Sequence, residues 1–173
     1  MKRVWPRLIR AWLLTAVVDA IFSSCLVKFA YGSTVTRLWQ GVASVPFGPS
    51  MLEGGTRTAL IGLAMHFCVA LTWSVVFLLL YEGVGALRAI TSSTPGIFAV
   101  ACVYGPLVWM TMSFVVIPHF THRAPTVNYR WWVQFFGHMP FVALPIVASI
   151  AHGAEDRFSR SRRTAAQALR RAR

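Results

Sequence analysis

Charged residues are scarce in this sequence of 173 residues, and acidic residues are the scarcest. Asp, Glu, Lys and Arg together make up 13% of the chain, about half their usual share in soluble domains. Apolar residues make up 56%. A soluble domain of this length has too little interior to bury so much apolar surface, so the composition predicts a membrane protein. The same composition excludes a disordered chain.

Motifs for nucleotides, cofactors and nucleophilic catalysis are also missing. The sequence has no Walker A motif, no GxGxxG fingerprint and no GxSxG elbow. Cys25, Cys68 and Cys102 lie in apolar stretches without a CxxC pair, which predicts small packing residues rather than a disulfide framework. The longest soluble segment, 31–57, is too short for a separate catalytic domain.

Long stretches with few or no charges predict four membrane-spanning helices. A helix crosses the hydrocarbon layer in about 20 residues. We place the spans at about 8–30, 58–81, 95–117 and 131–152. The predicted fold class is therefore all-α, a polytopic four-transmembrane-helix bundle that forms a single membrane domain, 1–152, followed by a basic tail, 153–173.

The first span has a rival interpretation as a cleaved signal peptide, because basic residues precede it. Asp19 interrupts its apolar run, and no A-x-A cleavage site follows. We therefore expect this segment to stay in the protein as a membrane span.

Basic residues cluster at the two ends of the chain, and the net charge is +12. Of the 17 Lys and Arg residues, 12 fall on one side of the predicted bundle and five on the other. This imbalance predicts a bacterial inner-membrane protein with both termini in the cytoplasm. It also argues against nucleic-acid binding, which needs basic residues spread over a folded surface. The tail is expected to contact anionic lipids through Arg157, Arg160, Arg162, Arg163, Arg170, Arg171 and Arg173.

Asp19 lies near the middle of the first span, where a carboxylate costs roughly 2.5–3.5 kcal/mol to insert. Thr15, Asp19 and Ser23 are spaced four residues apart and share one face of a helix. Two interpretations stay open. Asp19 either belongs to an ion pathway or substrate site, or joins helices through a structural hydrogen bond.

Further polar residues are expected inside the bundle. Gln134 and His138 share a polar face of the fourth span, and His66 lies in the second span at a depth similar to that of Asp19. Tyr104 precedes Gly105-Pro106, where we expect a kink and a close backbone approach. The interior candidates are Asp19, His66, Tyr104, Gln134 and His138. Their mutual orientation is left open by the sequence.

Two weaker features complete the pattern. His119 and His122 form an HxxH at the end of the third span, a weak metal-site motif with no carboxylate or cysteine pair beside it. We therefore expect no cofactor and assign no catalytic residue. Residues 38–49 are apolar but too short to span, and we interpret them as a loop on the membrane surface, with a re-entrant segment as the alternative.

Three short motifs carry a family resemblance. Gly62-Leu63-Ala64-Met65-His66-Phe67, Tyr104-Gly105-Pro106 and Gly137-His138-Met139 resemble small four-helix proteins of bacterial inner membranes, the YagU-like kind. The resemblance implies fold and location only, since such families carry no settled activity. We expect a non-enzymatic membrane protein or a subunit of a membrane complex, with a homo-oligomer as one form of assembly. The alternatives are a small transporter or channel, and a membrane-embedded metal or haem redox protein.

Overall fold

A computed structural model describes residues 4–152, and this part of the chain is helical with no strand. The helices, in chain order, are α1 (Val4–Ala30), α2 (Val35–Phe47), α3 (Gly55–Gly83), α4 (Gly85–Ile90), α5 (Thr94–Thr121) and α6 (Tyr129–His152). Four of them, α1, α3, α5 and α6, are long and apolar enough to cross a membrane. Each predicted span lies within one of these helices. The predicted basic tail lies outside the described residues.

The segment after α1 is a helix rather than the surface loop that the sequence analysis expects. Helix α2 begins after Thr34, whose side-chain oxygen accepts a hydrogen bond from the backbone N–H of Arg37 at 3.1 Å. It ends at Gly48, where φ is 88°, a value that glycine adopts without strain. The chain then turns through Pro49–Leu52 into α3, and α2 packs against α3.

Short π-helical segments occur in three of the long helices. Leu26–Ala30 forms the end of α1, whereas Met112–Val116 and Met139–Ala143 interrupt α5 and α6. Helix α5 extends beyond the predicted span, 95–117, and ends at Thr121. Pro118 lies in the first turn after the π-helical segment of α5 and does not end the helix.

One end of the bundle is held together by arginines, and we call it the basic end. The guanidinium of Arg7 is buried and lies 2.8 Å from the carboxylate of Glu82 at the end of α3. It also donates to the carbonyl of Ile150 at 3.4 Å, and Arg10 donates to the carbonyl of Ser149 at 2.7 Å. These contacts join the start of α1 to the ends of α3 and α6.

The core lies next to the basic end, between α3, α5 and α6. Its fully buried side chains include Phe77, Ile146, Val147 and Ile150. The outward faces of the long helices are also apolar. Their exposed large side chains include Leu13, Leu14, Val17, Ile21, Leu60, Leu79, Phe98, Val103, Leu107, Met110, Phe114 and Val115. A water-soluble protein rarely exposes apolar surface on this scale, so these faces suit contact with lipid.

The opposite end, which we call the cavity end, carries an aromatic cluster. Tyr31 lies edge-on to Tyr129 with 6.0 Å between ring centroids, and the guanidinium of Arg130 lies 4.5 Å from the Tyr31 ring. Burial raises the pKa of the Tyr31 hydroxyl, Tyr129 raises it further, and Arg130 opposes both effects. The cluster fixes the end of α1 against the start of α6.

Candidate ligand-binding cavity

A cavity of about 650 Å³ lies in the bundle towards the cavity end. Helices α2 and α5 supply mostly apolar walls. Helices α1, α3 and α6 supply its polar side chains, which are Thr15, Asp19, Ser23, His66, Gln134 and His138. The exposed residues Arg37 and Phe120 also border the cavity, so it reaches the protein surface between α2 and the end of α5.

The cavity brings together four of the five interior residues named from the sequence: Asp19, His66, Gln134 and His138. Tyr104 is buried but lies elsewhere. Its hydroxyl donates a hydrogen bond of 2.7 Å to the carbonyl of Trp73, and its ring packs against Phe77 with 4.9 Å between centroids. Tyr104 therefore holds α5 against α3 beside the core.

Asp19 and His66 face each other in the cavity. Nε2 of His66 lies 3.0 Å from the carbonyl oxygen of Ala16, and Nδ1 lies 3.8 Å from Oδ2 of Asp19. A carbonyl oxygen only accepts hydrogen bonds, so Nε2 is the nitrogen that donates. The other ring nitrogen therefore faces the carboxylate, at a distance too long for a hydrogen bond.

Two buried polar atoms in the cavity lining lack a hydrogen-bond partner within the described part of the chain. They are Oδ1 of Asp19 and Nε1 of Trp109. Oδ1 of Asp19 accepts hydrogen bonds when the carboxylate is ionised, whereas Nε1 of Trp109 only donates them. Buried polar groups are nearly always hydrogen-bonded, because leaving one without a partner costs about 1–3 kcal/mol. The two atoms therefore fit a polar group held inside the cavity.

His138 approaches the same region from α6. Its Nδ1 donates to the carbonyl of Gln134 at 2.7 Å, and its ring lies 4.9 Å from the ring of Trp109. Helix α5 packs closely here, as expected from Gly105. A Cβ atom added at Gly105 would lie 2.6 Å from the carbonyl oxygen of His138. This contact brings α5 and α6 together at the cavity.

Trp39, Trp73, Trp109 and Arg37 also line the cavity, although the sequence does not single them out as interior residues. Trp39 and Arg37 lie in α2, within the segment 31–57 that the sequence predicts to connect two spans. Trp109 lies near the middle of α5, away from the helix ends where tryptophan anchors a protein at the lipid interface. That position is the signal in the sequence that indicates an interior role for Trp109.

The weak metal motif is not assembled into a larger cluster. His119 and His122 are exposed at the end of α5, and His122 adopts a left-handed backbone conformation with φ of 53°. Within residues 4–152, no three His, Cys, Asp or Glu side chains are placed to hold one metal ion. The imidazoles of His66 and His138 each use one nitrogen to bond a backbone carbonyl.

Comparison with protein-family models, with curated proteins and with solved structures finds no match to this chain. The resemblance to the YagU-like proteins stays a prediction.

Proposed function

We propose that this chain is a non-enzymatic protein of the bacterial inner membrane that binds a small amphiphilic molecule in its cavity. In this proposal α1, α3, α5 and α6 cross the membrane, both termini lie in the cytoplasm, and the tail arginines contact anionic lipids. The protein acts alone, as a homo-oligomer or as a subunit of a membrane complex, and it does not bind nucleic acid.

Membrane insertion is supported by the outward faces of the long helices, which expose large apolar side chains along their length. Orientation is supported by charge, because the proposed cytoplasmic side carries 12 of the 17 Lys and Arg residues. The basic end of the bundle, with Arg7, Arg10 and Arg88, is then the cytoplasmic end. The cavity consequently opens towards the periplasm or the outer leaflet.

Ligand binding is supported above all by the unpartnered carboxylate oxygen of Asp19 in a largely apolar cavity. Small-molecule sites are typically apolar cavities of about 300–1,000 Å³ with a few converging polar groups, and this cavity matches that description. Apolar walls from α2 and α5 suit a hydrocarbon portion, while Asp19, Gln134 and His138 suit a polar one. An amphiphile satisfies both.

A carrier is the second candidate. The cavity ends at a packed core that includes Phe77 and Ile146, so a ligand passes to the basic end only if helices move. The π-helical segments in α1, α5 and α6 favour such movement, because they are points where a helix changes register readily. Binding alone needs no movement, and we therefore place it first.

A fluorescent neutral amphiphile tests the proposal directly with the purified protein in lipid nanodiscs. We expect saturable binding at one site per chain. Val42 lines the cavity on α2, and Val42→Trp should fill part of it and weaken binding at least tenfold. Val103 is 67% exposed on α5 and lies outside the lining, so Val103→Trp is the matched control. Equal binding by both variants and the unmodified protein would contradict the proposal.

A further inference from the structure

The cavity holds a carboxylate whose charge is only partly balanced. Asp19 is 9% exposed, its Oδ1 atom has no hydrogen-bond partner among residues 4–152, and Oδ2 lies 3.8 Å from Nδ1 of His66. The lining around it is rich in aromatic rings, with Trp39, Trp73 and Trp109 among its members. A cation stabilises an ionised carboxylate in apolar surroundings, and tryptophan rings attract cations to their faces.

We infer that the ligand is an amphiphilic organic monocation. The inference rests on the proposed function, because it names the class of amphiphile that the cavity takes. The hydrocarbon portion lies along the walls from α2 and α5. The cationic centre lies beside the free carboxylate oxygen of Asp19.

Few other charged or titratable groups face Asp19. From α6, His138 lies in the same lining with Nδ1 bonded to the carbonyl of Gln134. From α2, Arg37 borders the cavity, but its guanidinium donates to the carbonyl of Leu52 at 2.8 Å. Helix α5 contributes Trp109 and apolar side chains to the lining, and the other polar lining residues of α1 are the neutral Thr15 and Ser23.

Three probes of similar shape separate charge from hydrophobicity. They are the cation tetraphenylphosphonium, the anion tetraphenylborate and the neutral triphenylphosphine oxide, each titrated calorimetrically into the protein in phosphatidylcholine nanodiscs. We expect the cation to bind at least tenfold more tightly than the neutral probe, and the anion to bind most weakly.

One variant assigns the effect to Asp19. Asp19→Asn keeps the side chain's shape and removes its charge, so the cation preference should disappear while the neutral probe still binds. Glu53→Gln removes an exposed carboxylate outside the lining and should change nothing.

The outcomes distinguish this inference from the proposed function. Equal affinity for cation and neutral probe overturns the inference and leaves amphiphile binding intact. Failure of all three probes and of the fluorescent amphiphile overturns both. If Asp19→Asn does not fold, the order of the three affinities in the unmodified protein decides, and an anion that binds as tightly as the cation contradicts the inference.

Discussion

Helix α2 forms a wall of the cavity only because it lies against α3 without an intervening side chain, and Gly62→Ala tests this contact. A Cβ atom at this position would lie 1.8 Å from the carbonyl oxygen of Trp39, whereas ordinary van der Waals contact begins at 3.4 Å. Helix α2 must therefore move away by about 1.6 Å, the difference between these two distances. The same movement stretches the hydrogen bond between Gln40 Nε2 and the carbonyl of Gly55, which is 3.1 Å long.

We expect Gly62→Ala to destabilise the protein by about 2–4 kcal/mol, since overpacking costs about 1–3 kcal/mol and a lost hydrogen bond about 1 kcal/mol. The assay is thermal unfolding in detergent followed by tryptophan fluorescence. Gly83→Ala is the matched control, because a Cβ atom there meets nothing within 4 Å. Unfolding temperatures that agree for the two variants would refute the close packing of α2 on α3.

Three further predictions address the basic end, the orientation and the tail. Glu82→Gln removes the charge that faces buried Arg7 and should lower the free energy of unfolding by about 1–2 kcal/mol in the same assay. This is below the cost of breaking a fully buried pair, because Glu82 is 49% exposed. An unchanged unfolding temperature would show that the ion pair does not stabilise the bundle. Reporter fusions after Arg173 and within 82–94 should report the cytoplasm, and a periplasmic result at either place would contradict the orientation. A peptide of residues 157–173 should bind anionic vesicles and not neutral ones, with binding weakened by salt; equal binding to both would contradict electrostatic attachment.

The sequence predicts the long helices well, because the feature that defines them is local. Uncharged stretches of sufficient length mark α3, α5 and α6, and the first span is recognisable despite Asp19. The polar residues of the cavity are also predictable as a set, since a carboxylate or imidazole in an apolar helix must turn away from lipid. Gly105 and its close contact with α6 follow from the Tyr104-Gly105-Pro106 motif.

Convergence of these residues is not predictable from one sequence, because it depends on how each helix rotates against its neighbours. Periodicity places Asp19 and His66 on faces of their own helices, and only packing brings Nδ1 and Oδ2 within 3.8 Å. The sequence does not predict helix α2 for a different reason. Its apolar residues serve a short helix that packs on α3, and Pro46 near its end resembles a turn signal. Because Trp39 lies in α2, the sequence does not predict it as a cavity residue either.

Asp19 lies beside the cavity, which in the proposed orientation opens on the side opposite the basic end. Labelling of a single thiol in intact spheroplasts tests this placement, in a background with Cys25, Cys68 and Cys102 replaced by serine. A membrane-impermeant cationic thiosulfonate should label Ser23→Cys, which lines the cavity one helical turn from Asp19, and a bound amphiphile should protect it. Val17→Cys, on the outward face of α1, should stay unlabelled because lipid excludes the reagent. Labelling of both positions alike, or of position 23 only after the membrane is made permeable, would contradict the account.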